Sequence, residues 1–392
     1  MNNEIPVLAD KSQFIPISSS VKLAILLPTV RWTPMTQSVI ASLIGVANEE
    51  IAVLIADNSE NEEKRVFLQK IRDINPHILA VAHEKNIGAI ANILYLFDWC
   101  KKIPFCALIA DDDWMSPTYY TDAFQLLRNN PSITCAEVGN TFVDMSSNGN
   151  FQNISQVTMQ GQTPIERIRQ WNGTLLRVTM YNTSLRSSLE NAMLFYRTTP
   201  INGYMLAEDL WELSRLSLGG FVSERGAGCF VHYPAHEAHT GGSTERLYNL
   251  LYKEAGLQFS FIYFSALSTA IQCAIFLMGN LSPIVEPKQK KMCGQHVFRH
   301  IFLDSFLPLF SSDYSRDMIT TLFAAHPEAM AGFLKFTQPP FINNPVFDYD
   351  GYEIIEWFIE IIKVFETQLP TNESLLSEQF SFFVDKIMDK AW

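Results

Sequence analysis

Three adjacent carboxylates, Asp111, Asp112 and Asp113, close the apolar run Cys106 to Ala110 and are followed by Trp114 and Pro117. A short apolar run bounded by turn residues reads as a buried strand, and this one delivers its charges at its carboxyl end. Open α/β sheets place their ligands there. Adjacent acids repel one another, so a positive partner or a structural need must accompany them. Oxygen ligands at a rigid strand end suit hard divalent cations. In isolation the same triplet reads first as a solvated turn or a helix cap. Context decides between the two.

That context is alternating strand and helix. Val21 to Leu27 is apolar and runs into Pro28-Thr29-Val30-Arg31. Met35 to Ala47 then carries Val39, Ile40, Leu43 and Ile44 at helical spacing, and Ile51 to Ala56 is a second strand ending in Asp57-Asn58-Ser59. Glu60 to Asn75 reads as a helix, Ile78 to Ala82 as a third strand running into His83 to Gly88, and Ala89 to Trp99 as the next helix. Such alternation predicts right-handed crossovers and a mostly parallel sheet. The strand ends Pro28-Thr29, Asp57-Asn58 and Asp111 to Asp113 then line one edge and make a crevice. Thr121 to Leu127 continues as a helix, Ile133 to Asn140 as a strand, and Phe151 to Arg186 has no clear period. Gly219 to Val222 and Gly228 to Tyr233 are further strands.

With 392 residues, 47% of them hydrophobic, the chain can fill more than one domain. Its net charge of -12, from 29 basic and 41 acidic side chains, argues against a nucleic-acid partner. Six cysteines without CxxC spacing read as reduced core residues, and the amino terminus lacks a signal-peptide pattern; both predict a cytoplasmic protein. Phe259 to Leu281 contains no charge and is long enough to cross a bilayer. Its Ser, Thr, Gln and Asn residues, and the lack of flanking Lys or Arg clusters, make a buried helix the expectation.

The crevice residues resemble the nucleotide-binding half of the family two glycosyltransferases, which have the GT-A fold. LLPTVRW stands beside that family's strand-Pro-Thr/Ser opening, LIADNSE beside its strand-Asp-x-Ser, EKNIGAIANILY beside its Asn-x-Gly with a following Asn, and IADDDWMSP beside its Asp-x-Asp strand end and proline. Order and spacing agree across all four. The resemblance implies an inverting, metal-dependent transfer from a nucleotide-diphosphate sugar, UDP-sugars being the first candidates. Pro28, Thr29, Arg31, Asp57, Asn86, Gly88, Asn92, Asp111 and Asp112 would bind the donor. Of these, Thr29 would contact the nucleoside, Asp57 the base, and Asn86 and Gly88 would shape the loop beside it. Asp112 or Asp113 would hold Mn²⁺ or Mg²⁺, and Asp111 would touch the sugar or ribose. His239, with His236 second, would complete the cation shell or touch the diphosphate, next to a Gly241-Gly242 pair that would let the loop close.

INGYMLAEDLWEL, Ile201 to Leu213, places Glu208-Asp209 at a helix start. By residue type alone these are good N-terminal caps; by the resemblance Asp209, beside Glu208, is the general base. The expected domains are a polar leader over 1–20, a GT-A domain over 21–245 and an all-α domain over 246–392. The helical part is expected to serve acceptor binding, self-association or peripheral approach to a membrane at its cytoplasmic face. The acceptor would be a glycan, a lipid-linked group or a protein, as in polysaccharide or glycoconjugate synthesis. Two other readings stay open: a nucleotide-sugar-binding protein without turnover, and a nucleotidyltransferase. PTVRWTPMT lacks the Gly-rich loop that usually opens the latter.

Overall fold

The computed structural model describes residues 7–8, 14–145, 150–153, 156–171, 181–201, 207–232, 252, 256–337, 351–366 and 375–388. By its internal contacts the chain forms two compact units. The first comprises Met1–Gln160, Leu176–Glu190 and Gly219–His239, and the second Gly161–Leu175, Asn191–Leu218 and Thr240–Trp392. A single cut at 245 would leave the helix carrying Glu208 and Asp209 in the first part; its contacts lie in the second.

The first unit alternates as its sequence predicts. An edge strand β1 (Val7–Leu8) precedes β2 (Leu23–Thr29), α1 (Pro34–Ser42), β3 (Ile51–Asp57), α2 (Glu62–Ile74), β4 (Ile78–His83), α3 (Ala89–Trp99) and β5 (Phe105–Leu108). Then follow β6 (Trp114–Met115), α4 (Pro117–Asn129), β7 (Ile133–Val138), β8 (Thr141–Asp144), β9 (Asn150–Asn153), β10 (Thr158–Met159), β11 (Thr183–Leu185), β12 (Gly220–Glu224) and β13 (Cys229–His232). The main sheet runs β1-β4-β3-β2-β5-β11-β7-β12-β10, and a smaller one β6-β13-β8-β9. Every residue of β3 is buried, which requires cover on both faces and explains its unbroken apolar run. Leu23, Ile25, Leu27, Val53 and Ile55 pack with Val39 and Ile40 of α1 and with Leu68 and Ile71 of α2 in one core.

Three local features departed from expectation. The polar leader is partly docked: Val7 pairs with Ala82 in parallel, and the Trp99 indole donates to the Ile15 carbonyl at 2.8 Å. A two-residue strand is too short to carry a period. Within the unparsed Phe151 to Arg186, β11 inserts antiparallel between β5 and β7, its partners supplied by residues far away in sequence. Helix α4 begins at Pro117 rather than Thr121, because proline is pre-organised for the first helical turn and has no amide to satisfy.

The second unit contains α5 (Pro164–Ile168), all but the first residue of α6 (Glu190–Thr198), α7 (Ala207–Leu218), α8 (Ser265–Met278), α9 (Pro287–Ile301), α10 (Asp313–Leu322), α11 (Pro327–Phe336), α12 (Gly351–Phe365) and α13 (Leu376–Ile387). From 256 onward the regular elements among the described residues are helices, apart from one bridge between Leu257 and Glu366, as the loss of strand patterns predicts. Ser260–Met278 is long and apolar enough to cross a membrane, yet 67% of that stretch is buried within the fold. Every residue from Ala270 to Leu277 is buried, which is the surround of a core helix. Gly294 lets α9 approach α8 closely: a Cβ there would collide with the Met278 side chain.

Candidate active site

Register builds the site before any side chain is considered. β2 pairs with β3 so that Thr29 stands opposite Asp57, and β2 pairs with β5 through Leu26 opposite Leu108. Three residues further along both chains, Thr29 and Asp111 arrive at one level. The same row continues from Asp57 to Ala82 of β4, one residue before His83. The polar strand ends expected to form a crevice thus share one edge of the sheet.

Asp111 ties the two central strand ends together. Its Oδ2 accepts from Thr29 Oγ1 at 2.8 Å and from the backbone N–H groups of Val30 and Arg31, each at 2.9 Å. Its Oδ1 accepts from Arg31 Nη1 at 2.7 Å. Both oxygens are therefore engaged in fixing the loop after Pro28, and Thr29 spends its hydroxyl on the same task. Arg31 Nη1 also lies 3.0 Å from Asp112 Oδ2. Burial, followed by the Asp113 and Asp111 charges, pushes the Asp112 carboxyl up to about 7 against the opposing pull of Arg31. Asp113 is met by His232 at the end of β13, whose Nδ1 lies 2.8 Å from Oδ1.

Asp57 sits at the end of β3 with no exposed surface. Its Oδ1 accepts from the Ser59 amide at 3.0 Å and lies 3.0 Å from Lys64 Nζ, an ion contact in which neither side chain is exposed. Its buried Oδ2 has no hydrogen-bond partner among the described residues. Lys64 belongs to the first turn of α2, whose cap Asn61 accepts from the Lys64 amide. Beside this pair, Asn58 bonds the next loop, donating to Asn86 Oδ1 at 2.8 Å and accepting from the Ile87 amide at 2.8 Å. Asn86 Oδ1 also accepts from the Gly88 amide at 2.9 Å, and Gly88 adopts φ 84 as the cap of α3, a conformation that side chains resist. Asn92 faces inward from α3: it donates to the Ala56 carbonyl at 3.0 Å and pairs with His83 Nε2 at 2.9 Å.

In the second unit, Glu208 and Asp209 occupy the first turn of α7, where acids complement the helix dipole. Glu208 is exposed and Asp209 half-buried. Asp209 is recessed among protein atoms, and burial followed by the neighbouring Glu208 charge pushes its carboxyl up to about 7. One turn on, the buried Glu212 accepts from the Trp171 indole N–H. Arg167 closes the other end of the helix, donating to the carbonyls of Leu216 at 2.7 Å and Ser217 at 3.0 Å. The helix is thus held at its middle and at its carboxyl end.

Residues 25–193 match the family model described as glycosyl transferase family 2. These residues form a family 2 glycosyltransferase domain. Among curated proteins, none matches the chain significantly. The S. aureus TarS fragment 1–349 superposes with a TM-score of 0.53 at 12% identity, over 91% of this chain and 99% of that one. The same fragment in complex with UDP-GlcNAc gives a TM-score of 0.49 at 12% identity and the same coverage. The mannosyltransferase PcManGT from Pyrobaculum calidifontis, in complex with GDP-Man and Mn²⁺, gives 0.41 at 10% identity over 91% of this chain and 89% of that one. The chain spans 46% of the longer S. aureus TarS chain. The TarS 1–349 likeness shows a common fold: the GT-A α/β domain followed by helices.

Within the glycosyltransferase domain, the row through Asp57, Thr29 and Asp111 assembles most of the residues singled out in the sequence, with Asn86, Gly88 and Asn92 forming the adjoining loop and helix start. His239, His236 and Gly241-Gly242 lie outside the described residues. Among the described residues no group of three or more His, Cys, Asp or Glu side chains is arranged to hold a metal ion by itself. By the chemistry of their oxygens, Asp112, faced by Arg31, and Asp113, faced by His232, are the carboxylates that would hold a divalent ion, Asp111 being engaged in the loop. Two residues escaped sequence reasoning. A lysine after Glu62-Glu63 on a charged helix reads as solvated, so nothing marked Lys64. His232 ends an ordinary strand, and only the sheet pairing of β13 brings it to Asp113.

Proposed function

We propose that the chain is an inverting glycosyltransferase that moves a sugar from a nucleotide diphosphate, a UDP-sugar in the first instance, to an acceptor hydroxyl. The observation that carries this reading is the common level of Thr29, Asp57 and Asp111 at the carboxyl edge of the sheet, with Asp112 and Asp113 next in line. Phosphates and a cation suit that edge, and the matched family gives the chemistry. Pro28, Arg31 and the Asn86 to Gly88 loop would frame the nucleotide. Asp57, which by the resemblance would contact the base, is held against Lys64 with no exposed surface.

Asp209 is the proposed base. The acceptor oxygen bonds to the anomeric carbon as its proton passes to the Asp209 carboxylate, and the bond from that carbon to the diphosphate oxygen breaks on the opposite face. A carboxyl near 7 is well matched to that transfer at neutral pH. Asp112 and Asp113 would hold Mn²⁺ or Mg²⁺, which when bound supplies charge neutralisation to the departing diphosphate. The acceptor class is a glycan, a lipid-linked group or a protein.

Donor hydrolysis, measured across UDP-, GDP-, CDP- and dTDP-sugars with and without Mn²⁺, tests the reading directly. Metal-stimulated hydrolysis of one UDP-sugar, abolished in Asp209→Asn, is the expected result. No hydrolysis and no binding of any nucleotide sugar would overturn it.

A further inference from the structure

The Arg31 guanidinium occupies the space between two of the three acids. Nη1 lies 2.7 Å from Asp111 Oδ1 and 3.0 Å from Asp112 Oδ2, while the side chain keeps 26% of its surface exposed against 4% and 10% for the two carboxylates. It bridges the two carboxylates from their more exposed side. The backbone N–H of Arg31, that of Val30 and the Thr29 hydroxyl all remain on Asp111 Oδ2 whatever the guanidinium does. The loop therefore needs nothing from Nη1 to keep its shape. At the other end of the triplet, Asp113 already has His232 against Oδ1. Arg31 is thus the cation that faces Asp112, and two positive groups cannot share one carboxylate oxygen in a recess without strong repulsion.

We infer that Arg31 is the resident counter-ion of the acid triplet, and that a divalent cation binds at Asp112 by displacing the guanidinium. The inference rests on the metal-assisted reading above. It assigns this chain a built-in competitor for its own metal. Without nucleotide, Arg31 keeps the triplet neutralised and cation affinity low; once displaced, the guanidinium is released at the edge where the donor's phosphates would lie.

Direct Mn²⁺ binding, read from the electron paramagnetic resonance signal of the free ion and needing no turnover, tests this on the full chain without nucleotide. Arg31→Gln should bind Mn²⁺ roughly tenfold more tightly than wild type, the scale on which one partly exposed charge contributes. Arg31→Lys, which keeps the charge, should stay near wild type, and Asp112→Asn should abolish the tight site in the Arg31→Gln background. Unchanged or weaker Mn²⁺ binding by Arg31→Gln, or equal tightening by Arg31→Lys, overturns the inference. So does tight binding that survives Asp112→Asn. Circular dichroism of each variant shows that it is folded. A separate titration of wild type with UDP, with and without Mn²⁺, isolates the underlying reading: UDP affinity indifferent to Mn²⁺ would sink metal assistance itself, irrespective of Arg31.

Discussion

Lys64 Nζ stands 3.0 Å from Asp57 Oδ1, and neither side chain has any exposed surface. Burial lowers the lysine's proton affinity, and the Asp57 and then Asp111 charges oppose that shift. Two charges taken out of water are tolerable only together. Lys64→Met should destabilise the chain by about 3–5 kcal/mol, because it strands a buried carboxylate. Asp57→Asn with Lys64→Met, which leaves no charge behind, should recover most of that loss. Urea unfolding of the two variants checks the difference; equal destabilisation would show that packing, not charge, holds this strand end.

The proposed base fixes the sign of the pH dependence. Asp209, held up to about 7 by burial and then by Glu208, is protonated below that value and cannot take a proton from the acceptor. Turnover should fall about tenfold per pH unit below 7 and level off above it. Glu208→Gln removes the like charge and should move the midpoint downward. A profile of kcat/KM against pH for both proteins is the measurement, and a midpoint unmoved by Glu208→Gln would count against the assignment.

The acid triplet divides into a structural and a chemical part. Asp111→Asn would weaken four donors' contacts at once and should cost about 1–3 kcal/mol of stability. Asp112→Asn relieves repulsion among adjacent carboxylates, so it should leave the unfolding midpoint unchanged or higher while lowering metal-stimulated turnover by about 100-fold. Thermal unfolding beside donor hydrolysis separates the two; a large stability loss in Asp112→Asn would overturn the division.

Gly88→Ala tests the loop proposed to lie beside the nucleotide. Among the described residues, its chain neighbours apart, no atom lies within 4 Å of the position a Cβ would take, so the expected cost is conformational, from φ +84. It should amount to about 1 kcal/mol of stability. The KM for donor should rise with kcat little changed, as measured by steady-state kinetics.

Local pattern alone determined the first half of this molecule. The runs Leu23–Thr29, Ile51–Asp57 and Ile78–His83 are apolar because they are covered on both faces, and α3 occupies Ala89–Trp99 as its period predicts. Charges at strand ends stand out in any apolar context, so Asp57 and Asp111 to Asp113 were visible without coordinates. Tertiary structure decided what depends on register and distant pairing. Leu26 opposite Leu108 makes Asp111 a clamp on Thr29 to Arg31. Parallel pairing of β13 with β8 and its antiparallel pairing with β6 carry His232 to Asp113. Burial turns Lys64 from a surface charge into the partner of Asp57. None of these has a period or a motif, because each is an interaction between segments rather than a property of one.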